Sequence, residues 1–521
     1  MVASQAMSSD SANSPDSPEN TARPELLLIR LSGDLSTKAR ETRRRFVKRL
    51  MRNLRDALKS EDANARVVRT HDRIFVETPA GGARDASVVV ARVFGVQSVS
   101  QVIRRSFSNL DDIVVAGVDL FAEAVQGKSF AVRARRVGTR SEISLSTREV
   151  KHSLGAALLG PARCVDLDHP EVTVQLELMP GEAYFFSDTR PGYGGLPLGV
   201  EGRAVALVSG GFDSAVAVWQ LMKRGVALDY VFCNLGGRTH QLGTLRVMEA
   251  IAKRWSYGTR PRFHAVDFSA VVEDLQSNTA ERYRQVILKR LMLRAAEAVA
   301  HDTGAVAIVT GDAVGQVSSQ TLHNMAAISQ ATSLPILRPL VGSNKDEILA
   351  IARDIGTFDL SKVVGEYCAL VPRKPATSAA LPALQSEEKR MNLSLVEAAV
   401  AERSYFELRQ LDLSLLDVPE LEVDEIPPDA VTIDLRSKQA YQTWHYPDAL
   451  FLDFARALRA VPSMSRDQRY VLYCEFGLKS AHLADLMRAA GLEASHFKGG
   501  SATLMRLAKS EGADLSQADS L

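Results

Sequence analysis

The chain has 521 residues, and at roughly 100–200 residues per domain that length calls for three or four domains rather than one core. Lys and Arg number 63 against 62 Asp and Glu, a formal net charge of +1, so any site for a polyanion must be local. With 46% hydrophobic and 24% charged residues the composition is that of a folded chain, and no apolar run has the length or basic flank of a membrane span or secretory signal, which points to the cytoplasm.

Residues 1–24, rich in Ser, Asn, Asp and Pro without apolar periodicity, read as a disordered leader. From Leu26 an apolar strand leads into a basic amphipathic stretch, Lys38 to Leu58, and then to the strand-like Arg73 to Thr78. That order fits a small α+β domain over 25–84. A second unit, 85–190, has a helical segment from Leu110 to Glu123, a strand from Ser129 to Val137, a helix from Thr147 to Leu159 and an alternating strand from Val172 to Leu178. The Gly-rich run Gly192 to Gly199 breaks periodicity and marks a boundary. Beyond it, strand-like runs at Ala204, Tyr230 to Asn234, Phe263 to Asp267 and Val306 to Thr310 alternate with helical patterns such as Ala280 to His301. This predicts βαβ units and a mainly parallel sheet over 191–375. A linker follows over 376–426, helical from Asn392 to about Leu416, and a last small α/β domain over 427–521.

The sharpest motif is Ser209-Gly210-Gly211-Phe212-Asp213-Ser214, between an apolar strand and a helical run. A Gly-rich strand-to-helix turn aims backbone N–H groups and the positive end of the helix dipole at one point, which suits a phosphate. Ser209 and Ser214 add hydroxyl donors, while Asp213 would repel phosphates unless a cation intervenes and is therefore assigned to Mg2+. A competing match at Ala122 to Ser129 lacks the first glycine of G-x-x-x-x-G-K-[ST] and a preceding strand, and is rejected. A second polar cluster, Gly311, Asp312, Gly315 to Thr321 and Asn324, ends another strand and is expected to face the same cleft. Of the basic group Arg282, Arg284, Lys289 and Arg290, most are read as a solvated helix face.

The S-G-G-x-D-S signature resembles that of the PP-loop ATP pyrophosphatases, enzymes that cleave ATP between the α and β phosphates and adenylate an oxygen of the substrate. The resemblance implies adenine against the backbone of Leu207 and Val208, phosphates on Ser209, Gly210, Gly211, Phe212 and Ser214, and ATP near Lys289, Gly311 and Gln320.

Four cysteines, Cys164, Cys233, Cys368 and Cys474, are widely spaced with no Cys-x-x-Cys, which argues against zinc and structural disulfides. Cys474 closes a strand six residues before a helical run, where backbone N–H groups favour a thiolate. This loop and the preceding Ile433-Asp434-Leu435-Arg436 resemble a rhodanese domain and imply a persulfide on Cys474. Cys368 then acquires a task as its disulfide partner, while Cys164 and Cys233, with apolar neighbours, read as packing residues.

Lys128, Arg133, Arg135, Arg136, Arg140 and Lys151 concentrate positive charge within 85–190, suited to RNA phosphates or equally to a solvated face. Their arrangement before the phosphate-loop domain resembles a THUMP domain preceded by its ferredoxin-like companion. The whole order, ferredoxin-like, THUMP, PP-loop, linker and rhodanese, is similar to the tRNA uridine 4-sulfurtransferase family in its longer form. That resemblance implies ATP and Mg2+ as cofactors, and tRNA, a cysteine desulfurase and the sulfur-carrier protein of thiamine thiazole synthesis as partners. It is compatible with a homodimer. The competing readings are a PP-loop tRNA 2-thiolation enzyme, an amide-forming ligase, a rhodanese sulfur carrier and a non-enzymatic RNA-binding protein.

Overall fold

The computed structural model describes residues 24–70, 73–235, 237–364, 374–413, 421–475 and 477–510. The chain separates into two compact units. The first comprises the described residues up to Arg30 with Leu58–Val90 and Val99–Pro191; the second comprises Leu31–Ala57, Ala91–Ser98 and the described residues from Gly192 onward.

The first unit is built on a sheet of nine strands: β1 Glu25–Leu31, β2 Arg66–Thr70, β3 Arg73–Thr78, β4 Val96–Ser106, β5 Ser129–Arg136, β6 Cys164–Val165, β7 Val172–Met179, β8 Glu182–Phe186 and β9 Arg190–Pro191. The order is β2-β3-β1-β4-β8-β7-β5-β6, with β9 on β4. Leu28 stands opposite Phe75, and Val132 is in parallel register with Val174. The segment Ala83–Ala91 is a helix although its run of valines reads equally as a strand. Helices Leu110–Val125 and Thr147–Leu158 each begin with a capping box, Asn109 with Asp112 and Ser146 with Glu149. They touch at Gly117, where a Cβ would meet Leu154 Cδ1 at 2.5 Å. Glu177 is buried and accepts from Arg30 Nε and Arg73 Nε, both at 2.8 Å, so neighbouring strands of one sheet share one carboxylate.

In the second unit a six-stranded sheet contains β10 Arg203–Leu207, β11 Ala227–Asn234, β12 Arg262–Asp267, β13 Ile308–Val309, β14 Ile336–Leu337 and β15 Ser404–Glu407, in the order β14-β13-β10-β11-β12-β15. All pairs are parallel except β12 with β15. Alternate residues of β10 feed two cores, Ala204 and Ala206 on one face and Val205 and Leu207 on the other, because both faces are covered by helices. A further all-parallel sheet, β16 Glu422–Val423, β17 Val431–Asp434, β18 Leu450–Phe451, β19 Arg469–Tyr473 and β20 Glu493–Phe497, has the order β16-β20-β19-β17-β18.

Three elements depart from the sequence reading. The amphipathic stretch after Asn392 is helical only over Ser394–Ala401 and then supplies β15, whose edge pairing with β12 offers backbone partners that periodicity does not reveal. Arg290 is not on a solvated face: it is 1% exposed and grips Glu388 through Nε at 2.5 Å and Nη2 at 3.1 Å. Arg294 reaches the same carboxylate at 3.1 Å. Cys164 is exposed on the two-residue β6 and does not pack, whereas Cys233 is buried on β11. Replacing Glu388 with Ala strands the Arg290 charge in the core, and a loss of about 3 kcal/mol in the stability of this unit is expected by urea denaturation.

Candidate active sites

At the end of β10 the chain turns through Val208, whose N–H bonds Val231 O at 3.0 Å, into the phosphate loop. Gly210 has φ +77°, and a Cβ there would lie 2.8 Å from Thr244 Oγ1 and 2.9 Å from Val364 Cγ1, so neither conformation nor space admits a side chain. Gly211 is the N-cap of helix Phe212–Lys223, leaving the first N–H groups of that helix without intrahelical partners. Ser214 Oγ donates to Gly211 O at 3.0 Å and accepts from Ser209 N at 3.4 Å, which closes the loop on itself.

The strand end after β13 meets this loop with no clearance. A Cβ on Gly311 would approach Asp213 C to 2.8 Å and Ser214 N to 2.9 Å. The next residue, Asp312, is 9% exposed and gathers four donors: Lys289 Nζ at 2.8 Å, Thr310 Oγ1 at 2.8 Å, Gln320 Nε2 at 3.3 Å and Arg338 Nε at 3.4 Å. Burial works against its charge, but Lys289, Thr310 and Arg338 outweigh burial and hold the carboxyl down at about 2. Lys289 and Gln320, expected near ATP, are thus brought together on one carboxylate. Gln320 Oε1 is buried and, among the described residues, has no hydrogen-bond partner. Asp213 faces outward from the loop and accepts from Gln316 Nε2 at 2.8 Å and Lys345 Nζ at 3.1 Å.

Lys345 and Arg338 escaped the sequence assignment, and Asp312 stands in the second polar cluster without a role of its own. A signal for Lys345 existed: Asn344 and Glu347 form a capping box, so a lysine occupies the first turn of helix Lys345–Ile355, where the helix dipole disfavours a cation. Asn324 is a scaffold and not a ligand-facing residue. It is fully buried and ties Ser318 O, Ala376 O and Ala379 N together at 2.8–2.9 Å. Arg284 likewise turns to the backbone of Thr279 and Gln276, and Arg282 lies over the Tyr283 ring. Beside the loop, at the C-terminal ends of β11 and β12, a cavity of about 420 Å³ is lined by Asn234, Arg238, Gln241, Asp267, Ser269 and Phe406 among others.

Cys474 follows β19 directly and is 4% exposed. Ser480 Oγ lies 3.5 Å from its Sγ and donates to Gly477 O at 2.9 Å, while Ser501 N bonds Cys474 O at 2.9 Å. Gly477, at φ +85°, caps helix Leu478–Ala489, so the thiol sits at a strand end before a helix N-terminus. The neighbouring strand end is wired to it. Arg436 forks onto Asp434 with Nε–Oδ1 3.0 Å and Nη2–Oδ2 2.7 Å, and Tyr473 OH, next to Cys474, donates to Asp434 Oδ2 at 2.7 Å. Burial and the Asp434 charge push the Tyr473 phenol up, so it remains a donor at neutral pH. Helix Leu478–Ala489 packs on helix Gly237–Trp255, whose His240 Nε2 is 3.3 Å from Ser209 O. Burial holds the His240 imidazole down at about 4, and His482 adds to the effect.

Cys368 lies outside the described residues. Of the basic residues singled out for RNA, Lys128, Arg133, Arg135, Arg140 and Lys151 are exposed; Arg133 and Arg135 share one face of β5, with Arg133 donating to Leu167 O. Arg136 is half-buried and bonds Ile143 O at 3.3 Å. The rejected match at Ala122 to Ser129 begins inside the last turn of helix Leu110–Val125 and is not preceded by a strand. No described helix is long and apolar enough to cross a membrane.

The two loops define a PP-loop α/β domain joined in one chain to a rhodanese-type domain. Family models agree: Thiamine biosynthesis protein (ThiI) over residues 199–393, the ThiI ferredoxin-like domain over 26–100, the THUMP domain over 107–188 and the rhodanese-like domain over 421–504. The tRNA sulfurtransferase of Pyrobaculum aerophilum is 37% identical over 90% of this chain and 96% of that protein. Those of Thermoplasma volcanium and Marinobacter nauticus are 35% and 34% identical, over 93% and 89% of this chain and 97% of each relative. A crystal structure of a 4-thiouridine synthetase–RNA complex with bound ATP superposes with TM-score 0.64 and 28% identity over 74% of this chain and 99% of that one. PH1313 from Pyrococcus horikoshii does so with TM-score 0.50 and 26% identity over 64% and 99%. The chain belongs to the ThiI family.

Because the Asp312 carboxyl is held below its ordinary value, the stability it contributes is full above about pH 4 and is lost as pH falls toward about 2. Asp312→Asn is expected to cost about 2 kcal/mol at neutral pH, with the gap to the parent closing near pH 2 in acid-titrated thermal melts. Gly311→Ala is expected to displace the phosphate loop and abolish ATP binding in calorimetry.

Proposed function

We propose that the protein is an ATP-dependent tRNA sulfurtransferase that converts the uridine at position 8 of tRNA to 4-thiouridine. The observation that carries the reading is the presence, in one chain, of the glycine-lined phosphate loop against Gly311 and the Cys474 loop at a strand end.

In this reading the loop from Ser209 to Ser214 holds the phosphates, with adenine on the backbone of Leu207 and Val208. The adjoining 420 Å³ cavity gives the nucleoside end room. Lys289 and Gln320 are preset by Asp312, and the unpartnered Gln320 Oε1 is ready to accept from the nucleotide. Asp213, an outward carboxylate beside the loop, suits Mg2+, which commonly takes one or two carboxylates plus phosphate oxygens; it would supply charge neutralisation on the polyphosphate. Lys345 sits at the same carboxylate as a second positive charge.

Uridine O4 attacks the α phosphorus, pyrophosphate leaves, and a poor oxygen leaving group becomes AMP. The terminal sulfur of a Cys474 persulfide, loaded by a cysteine desulfurase, attacks C4 and expels AMP. The Cys368 thiolate then attacks Cys474 Sγ, releasing the thiolated base and leaving a Cys368 to Cys474 disulfide that a cellular thiol must reduce. The same persulfide is suited to load the sulfur-carrier protein of thiazole synthesis, in keeping with the thiamine description of the family model.

The test is mass spectrometry of nucleosides from tRNA incubated with protein, ATP, Mg2+, cysteine and a desulfurase. 4-Thiouridine is expected with the intact chain and absent with Asp213→Ala or Cys474→Ala. Persulfide formation on Cys474 in the Asp213→Ala protein without any thiolated base from the parent would make the chain a sulfur carrier. Asp434→Asn, which removes the charge and one of the two oxygens that accept from Arg436 and Tyr473, is expected to slow Cys474 persulfide formation by at least tenfold while leaving ATP binding intact.

A further inference from the structure

The turn that follows β13 carries a side-chain amide whose orientation is dictated by its neighbour. Gln316 Nε2 donates to Asp213 Oδ2 at 2.8 Å, and Lys345 Nζ to Asp213 Oδ1 at 3.1 Å. A carboxylate paired with a cation accepts and does not donate, so the amide presents its NH2 to Asp213 and turns Oε1 away from it. The backbone beneath is held at several points. Gly315 N bonds Gln320 O at 3.0 Å, Gln320 N bonds Val317 O at 2.9 Å, and Asn324 Nδ2 donates to Ser318 O at 2.8 Å. Gln316 is thus an exposed acceptor on a fixed turn, one hydrogen bond from the first turn of the phosphate-loop helix.

Apolar side chains accompany that acceptor. Val314 and Val317 flank Gln316 in the chain, and Val314 N bonds Val341 O at 3.2 Å, which joins the turn to the segment after β14. All three valines are 44–48% exposed, and a Cβ on Gly315 or Gly342 would meet nothing within 4 Å. Phosphates gain nothing from exposed aliphatic groups, whereas a base drawn out of its stack does. Sites for such ligands combine apolar walls with a few placed polar groups. The chemistry of the proposed reaction also calls for an acceptor. Adenylation of uridine forms the O4–P bond, breaks the bond from the α phosphorus to pyrophosphate and converts N3–H with C4=O into N3=C4–O–P, so the N3 proton has to leave. Asp213 is engaged by Gln316 and Lys345, and Asp312 by four donors, so neither carboxylate is open to that N–H.

We propose that Gln316 Oε1 accepts the N3–H of the uracil to be thiolated and seats the base against Val314, Val317 and Val341 with O4 directed at the phosphate loop. The inference rests on the tRNA reading above and deepens it by naming what holds the reacting base. The amide does not take the proton. It orients the base and polarises N3–H, which adds negative charge to O4, and the proton passes to water at this exposed turn as the O4–P bond forms. Asp213 fixes which end of the amide faces the base.

The experiment measures pyrophosphate release at saturating ATP and Mg2+, as kcat/KM for tRNA, with the full-length parent and with Gln316→Ala. Each protein is given tRNA with uridine at position 8 and tRNA with 3-deazauridine there, a base that keeps O4 and has C–H in place of N3–H. The intrinsic reactivity of each base cancels in the cycle, which leaves the coupling between Gln316 and N3–H. The loss caused by Gln316→Ala is expected to be on the order of tenfold larger with uridine than with the deaza base. Where the deaza tRNA is bound but not turned over, the same ratio is taken from the dissociation constants of the two tRNAs with a non-hydrolysable ATP analogue. An equal loss on both bases makes Gln316 a support for Asp213 alone and overturns the seat, with the tRNA reading left standing. An unchanged rate on both bases does the same. A parent that releases no pyrophosphate with uridine tRNA and forms no 4-thiouridine overturns both readings.

Discussion

The contact between Gly311 and the phosphate loop allows no side chain, and everything at the ATP-binding edge is placed by it. With Gly311 seated against Asp213 and Ser214, the next residue must turn into the interior. There Asp312 collects Lys289, Thr310, Gln320 and Arg338. A buried carboxylate tolerates this position only because two cations and two neutral donors compensate its lost hydration. The same compensation fixes Lys289 and Gln320 on one carboxylate, so a group needed for stability also orders the strand end beside the loop.

The sulfur-handling domain obeys a similar rule with different atoms. Asp434 is wholly buried, and its charge is met by the Arg436 fork and the Tyr473 hydroxyl. Since Tyr473 immediately precedes Cys474, the ion pair holds the strand end from which the thiol leaves. The helix after that loop packs on Gly237–Trp255, and His240 of the latter reaches Ser209 O, so a short chain of packed helices connects the thiol loop to the phosphate loop. Burial keeps His240 neutral at physiological pH, which lets two imidazoles lie near each other without repulsion.

Much of this was legible in local sequence. S-G-G-x-D-S after an apolar strand, the I-D-x-R strand end, Cys474 before a helix and the alternation of strand and helix all arise from short-range constraints: backbone conformation, a helix N-terminus and period-two or period-3.6 burial. The misreadings share the opposite origin. Arg290 belongs to a basic cluster by composition, yet Glu388, 98 positions away, pulls it into the core. Cys164 has apolar neighbours in sequence, but its two-residue strand lies at the edge of a sheet. The stretch after Ala401 becomes β15 because β12 has an open edge.

By itself, then, the sequence determined the modules and the two strand-to-helix loops in which the glycines, hydroxyls and thiol lie. Tertiary structure alone decided which charges meet. The convergence of Lys289, Gln320 and Arg338 on Asp312 and the Lys345 and Gln316 contacts to Asp213 both depend on long-range packing. Desolvation and pairing energies depend on distances between residues remote in the chain, and no local pattern encodes them.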